Sequence, residues 1–195
     1  NVDRFEIIAR GTQLNADLQA NNLAIIAGRN DVNAETLAAT PRANDGSAPP
    51  QLAIDSSALG GMYAGAIKLL GTEAGIGVRL AGNLAASAGD IQLDANGHLT
   101  LAQAASAKAI NIQAASLDAQ GPVYASTSLT VQTQGALNNQ QSLAARDRIN
   151  LSSAGQLSNN GIIEAGVNAD NTRNATGDVS LNGQNLRNAG SVVAS

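Results

Sequence analysis

The sequence predicts an all-β fold, a right-handed parallel β-helix with about 20 residues and three short strands per coil. Three observations predict it. Between Gly121 and Gly190 the chain repeats itself: GPVYASTSLTVQTQGALNNQ (121–140) is followed by QSLAARDRINLSSAGQLSNN (141–160), then, around a ten-residue insert, by GIIEAG and GDVSLNGQNLRNAG (161–190). Leu129 and Leu137 recur as Ile149 and Leu157 and again as Val179 and Leu186, a period of 20 residues. Next, GDIQL (89–93), KAINI (108–112), TSLTV (127–131) and DRINL (147–151) alternate apolar with polar; this marks half-buried strands with one side chain in and the next out. Finally, aromatic residues make up 2% of the chain and Trp is absent. A narrow β-helical core has little room for rings and is filled by Ala, Leu, Ile and Val instead.

From the alternation, Ile91 and Leu93, Ile110 and Ile112, Leu129 and Val131, Ile149 and Leu151, and Val179 and Leu181 are expected to point inward. Gln92, Asn111, Thr130 and Asn150 are expected to face solvent. Strands stacked about 4.8 Å apart make about nine coils a rod roughly 40–45 Å long. A leucine-rich repeat has a similar period, but its LxxLxLxxN pattern does not occur cleanly, and a propeller blade needs roughly 40 residues. Asn139, Asn159 and Asn188 each follow an equivalent leucine by two residues. Two readings of them stand side by side: a ladder of stacked amides along the rod, or solvated turn residues.

Two stretches break the rhythm and are expected to leave the rod. ATPRANDGSAPPQ (39–51) holds three of the four prolines, and Pro cannot donate to a β-ladder. VNADNTRNAT (167–176) is the insert within the repeat. Each is either a solvated loop or a contact surface, since insertions in a solenoid map to loops on one face. Asn168, Asp170, Asn171 and Arg173 are the candidate contact residues.

No catalytic, cofactor-binding or metal-ligating set is read from the chain. His98 is the only histidine, expected in an exposed turn beside Gly97, without the partners of a triad or a metal cluster. Asp90 and Asp94 are four residues apart, a strand edge and a turn rather than the set pair a glycosidase needs. GTEAGIG (71–77) lacks the strand and helix of a dinucleotide site. Tyr63 and Tyr124 are too few and too distant for a sugar-stacking platform; counted along the repeat, Tyr124 aligns with Leu143 and Ile163 and is expected inward. Eleven Lys and Arg, scattered singly in a chain of net charge −4, form no stripe for nucleic acid. No apolar run reaches the ~20 residues of a membrane span, and the absence of Cys excludes a disulfide framework. The chain opens mid-pattern on Asn and is expected to be a segment of something longer.

The segments RFEIIARGTQLNADLQANNLAIIAGRNDVNAETL (4–37) and AIDSSALGGMYAGAIKLLGTEAGIGVRLAGNLAASAGDIQLDANG (53–97) closely resemble the later part of the secretion domain of two-partner-secreted exoproteins. This is the filamentous haemagglutinin family, which includes the large contact-dependent growth inhibition proteins. The resemblance implies that residues 1–89 are the C-terminal part of that secretion (haemagglutination activity) domain and that 90–195 are haemagglutinin-type repeats. It also implies export through a cognate outer-membrane β-barrel transporter, folding at the bacterial surface, and a role as an adhesive shaft toward a host or bacterial receptor, a glycan among the candidates. An alternative role is the stalk of a growth-inhibition effector carrying a distant C-terminal toxin; a remote one is a carbohydrate-active β-helix enzyme. The family's NPNL and NPNGI motifs have no match here. The open ends of such a stack are expected to favour self-association.

Overall fold

A strand that alternates apolar and polar residues can bury only one face, and stacking identical coils buries that face along the whole rod. The structure, a computed structural model, describes residues 2–195. Its first coil is β1 (Val2–Ala9), β2 (Thr12–Leu14) and the start of β3 (Leu18–Ala27), which bends to enter the second. There the chain leaves the rod as an antiparallel hairpin, β4 (Asn30–Val32) and β5 (Ala39–Pro41). It returns with β6 (Leu52–Ser56), and β7 (Met62–Gly71) closes the second coil and opens the third. After β8 (Gly77–Ala86), β9 (Ile91–Ser106) runs through all three faces of the fourth coil. The fifth coil is β10 (Ile110–Ala119) and β11 (Val123–Ala125). The sixth has one strand per face: β12 (Ser128–Thr133), β13 (Leu137–Asn139) and β14 (Ser142–Ala145). β15 (Arg148–Asn159) and β16 (Ile162–Ala165) make the seventh, and β17 (Asp178–Asn188) and β18 (Ser191–Val193) the eighth.

The protein is therefore a parallel β-helix of eight coils, seven steps of ~4.8 Å or about 34 Å along its axis, rather than nine. The hairpin and the insert take up residues that would have made another coil. The stack is unbroken past residue 89, where Ile67 and Leu69 pair with Ile91 and Leu93.

We label the three faces A, B and C in chain order. On face A the inward column reads Phe5, Leu23, Ile67, Ile91, Ile110, Leu129, Ile149, Val179. From Ile91 to Leu151 the face A residues expected inward are at most 2% exposed. Val179 and Leu181 also pack against the core but are half-buried, since among the described residues no coil stacks above them. On face C a column of small residues, Ala64, Ala86, Ser106, Ala125, Ala145 and Ala165, lets the corner close tightly. Fully burying an Ile or Leu stabilises by about 1.5–3 kcal/mol, so a single charge in this column threatens its coil. The repeat's leading glycines answer to close stacking: a Cβ on Gly121 would lie 1.9 Å from the carbonyl oxygen of Ala102, and one on Gly161 1.8 Å from that of Gln141.

Stacking also corrects the reading of Tyr124. Val123, not Tyr124, pairs with Leu143 and through it with Ile163. With small Ala125 inward, the two-residue period turns Tyr124 outward.

Candidate interaction surface

The second inward column of face B carries the three asparagines. Asn139 and Asn159 are at most 1% exposed. Asn139 donates from Nδ2 to Asn159 Oδ1 (2.7 Å), and Asn159 in turn to Asn188 Oδ1 (2.8 Å). Asn159 also donates to the carbonyls of Gly161 and Ser191 (3.2 and 3.0 Å). Asn188, on the last coil, is exposed. Beneath the ladder Ala119 offers no donor, which leaves Asn139 Oδ1 buried without a partner among the described residues. These amides fix the stack, and the buried pair Asn139 and Asn159 is closed to a ligand.

The insert is a folded cap on face C. Val167 bridges Arg173 across a turn in which Asn171 takes φ 62°, a left-handed conformation that Asn tolerates. Asp170 accepts from the Thr172 hydroxyl (2.6 Å) and N–H (3.0 Å), which together hold its carboxyl below the usual carboxylate range. Asn168 donates to Thr172 Oγ1 (2.9 Å), and Arg173 pairs with Glu164 (2.7 Å). The cap leans from the seventh coil down to the fifth, where the Tyr124 hydroxyl donates to the Val167 carbonyl (3.0 Å). Outward-facing Ala144 lies between and is only 6% exposed. Burial pushes the Tyr124 hydroxyl pKa up. Of the four candidate contact residues, Asp170, Asn171 and Arg173 stand exposed, and Asn168 is half-buried.

The excursion in the lower coils is larger than the proline-rich stretch alone and begins at Gly28, whose φ of 130° suits glycine. It is strapped to the rod. Arg10 makes a bidentate pair with Glu73 (3.0 and 2.9 Å) and donates to Ser47 Oγ (2.6 Å). Within the excursion, Arg29 pairs with Asp45 (2.9 Å) and donates to Asn44 (3.0 Å). The Arg10 guanidinium draws the Glu73 pKa down, and the Ser47 hydroxyl and N–H draw down that of Asp45.

His98 lies in β9, on the outward side of face B, not in a turn. Stacking brings Ser116 Oγ to 2.6 Å from its Nδ1 and Asp118 Oδ2 to 3.3 Å from its Nε2. Residue spacing along the chain hides this trio, since its members meet only across adjacent coils. It sits on a sheet face with His98 about half exposed, and sheet N–H groups point along the ladder rather than outward to an oxyanion. Asp118 is also engaged by Asn138 (2.9 Å). Asp90 accepts from the Ala109 N–H (2.9 Å) of the next coil, and Asp94 from Gln92 (2.8 Å) on its own strand. Among the described residues no three metal-ligating side chains converge, and no helix is long and apolar enough to cross a membrane.

Residues 1–101 match the family model of the TPS secretion domain. The chain is 50% identical over 101 residues to the tRNA nuclease CdiA-2 of Burkholderia pseudomallei (strain 1026b), which covers 52% of this chain and 3% of that protein. It is 37% identical over 185 residues to the tRNA nuclease CdiA of Yersinia mollaretii, 93% of this chain and 6% of that one. To the 16S rRNA endonuclease CdiA of Enterobacter cloacae subsp. cloacae it is 38% identical over 160 residues, 82% of this chain and 5% of that protein. The chain thus spans a small fraction of the length of these relatives. No solved structure matches it.

Proposed function

This chain belongs to the two-partner-secretion exoproteins of the CdiA type, and on that premise we propose that it works as a rigid shaft segment at the bacterial surface, with an adhesive contact on its face C cap. The observation that carries the shaft role is the unbroken stack of eight coils, in which each buried side chain serves the coil above or below. Export runs through a cognate outer-membrane transporter, with coils adding one onto the next as the chain emerges. Adhesion is assigned to Asp170, Asn171 and Arg173, which the cap holds out in one geometry, so little ordering entropy opposes a contact. No catalysis is assigned to this segment.

The experiment deletes residues 167–176 in the displayed exoprotein and counts adhesion to bacterial and epithelial cells at equal surface expression. Adhesion that falls at least tenfold supports the contact; unchanged adhesion removes it. A second reading, in which the segment only projects a distant toxin, is favoured by the nuclease names of the relatives and by their far greater length. Under it the deletion leaves both adhesion and target-cell inhibition unchanged.

A further inference from the structure

The corner between faces C and A in the first three coils holds a concavity of about 670 Å³ that neither the ladder nor the cap uses. Its shape follows from missing side chains. A Cβ on Gly65 would lie 2.5 Å from the Asn21 carbonyl oxygen, and one on Gly89 3.0 Å from the Ala66 Cβ, so stacking keeps the corner bare. One wall is Tyr63, 38% exposed, whose ring lies back over Gly61. Around it stand Gln19, Asn21 and Ser87, and no lining residue carries a charge.

The polar groups are set to receive a ligand. Among the described residues neither the Tyr63 hydroxyl nor the Gln19 amide has a hydrogen-bond partner, while Asn21 gives its N–H to Asp3 (2.7 Å) and keeps its oxygen as an acceptor. Ser87 donates to the Ala64 carbonyl (3.3 Å), which leaves its oxygen lone pairs to accept.

We propose that this corner binds one ring of a neutral saccharide, its C–H face stacked on Tyr63 and its hydroxyls bonded to Gln19, Asn21 and Ser87. An aromatic wall beside amide and hydroxyl groups matches a ligand with an apolar face and a polar edge. Anionic sugars and phosphates find no cation here. An extended peptide finds no free edge on the second and third coils that line the corner, since their strands are already paired above and below. The site is separate from the cap and stands or falls without it.

The test is a titration of the full chain, ¹⁵N-labelled, with glucose, galactose, mannose and N-acetylglucosamine, each to about 50 mM, and with N-acetylneuraminate as the acidic arm. Saturable shifts at Gly65, Ser87 and Gly89 with a neutral sugar, weakened about tenfold in Tyr63→Ala and retained in Tyr63→Phe, support the site. Ala88→Glu, on an exposed lining position, abolishes them without touching the core. The proposal is overturned if no neutral sugar shifts these resonances, if Tyr63→Ala leaves the shifts unchanged in a folded chain, or if the acidic sugar binds better. Deleting residues 167–176 leaves the shifts intact, so loss of cell adhesion in that variant bears on the cap alone.

Discussion

In the second inward column of face B the lower four coils present Leu14, Ser56, Leu80 and Leu101, whereas the upper four present Ala119, Asn139, Asn159 and Asn188. The backbone stacks alike in both halves. In the lower half the position is filled by apolar bulk, or by Ser56, which satisfies itself on the Gly60 carbonyl (2.6 Å). In the upper half Asn139 and Asn159 each donate to carbonyls of their own and the next coil and to the amide that the next coil brings to the same height. Apolar filling tolerates imprecision; a buried amide ladder does not, because a slipped coil strands polar groups away from water. The upper half thus gains register specificity, in the way a single buried Asn sets register in a coiled coil. It also spaces equivalent face A residues by 19, 20 and, across the ten-residue insert, 30 from Ile110 to Val179, while the lower half spaces them by 18, 44 and 24 from Phe5 to Ile91.

The largest expected effect comes at the join between the halves. Ile110, in the fifth coil, is fully buried, and Ile110→Asp places an unpaired carboxylate there, at a cost above about 4 kcal/mol. Thermal melts by circular dichroism are expected to show both halves lost in one transition, with secretion of the parent protein falling in step. Two separated transitions would show the halves to be independent, and an unchanged secretion yield would remove support for coil-by-coil folding as an aid to export.

Asn159→Leu is next, at about 2–3 kcal/mol, because Asn139 Nδ2 loses its ladder acceptor and Asn188 its donor. The double variant Asn139→Leu with Asn159→Leu converts the column to the lower-half type. It is expected to cost clearly less than twice the single change, read from urea midpoints; strict additivity would mean that the amides do not act as a ladder.

In the lower half, Arg10→Ala is expected to leave the melting of the rod nearly unchanged while proteolysis within 39–51 accelerates severalfold. Acid acts on the same strap. Glu73 and Asp45 have folded pKa values below their ordinary ones, so their contribution is complete above the ordinary carboxylate range and disappears as pH falls through the depressed values. Limited proteolysis across that range checks it: cleavage that did not rise on acidification would detach the strap from these carboxylates. The smallest effect belongs to Ala119→Asn, which extends the ladder by one rung and moves its unpaired acceptor down one coil. Stability is expected to stay within about 1 kcal/mol of the parent chain; a larger loss would mean that Leu101 leaves no room for the amide.

From Gly89 onward the inward column of face A could be read directly, because strict alternation at a near-constant period leaves one face to bury; on face C the same count put Tyr124, one residue past Val123, in the core column. The two possibilities for the asparagines were legible, but the choice between them was not. Whether Asn139 is solvated depends on what Ala119 and Asn159 present above and below, which is a property of the stack. The hairpin β4–β5 escaped because three-residue strands carry no periodicity, and its turn rests on Asn33 Oδ1 accepting from the N–H groups of Glu35 and Thr36 (both 2.9 Å). Tyr63 and Tyr124, distant in sequence, share one outward column with Ala85 and Ala105 between them. Ser116, His98 and Asp118 meet for the same reason.

The ladder also has a direction. Both inter-asparagine bonds run the same way, nitrogen below and oxygen above, so three amide dipoles align head to tail and polarise one another. Their sum leaves the negative pole on Asn139 Oδ1, buried in the sixth coil, and the positive pole at the Asn188 amide hydrogens of the eighth. The column is a small electret frozen into the solenoid, and at the eighth coil its Asn188 amide offers donors, beside the mixed N–H and C=O groups of the strand edge.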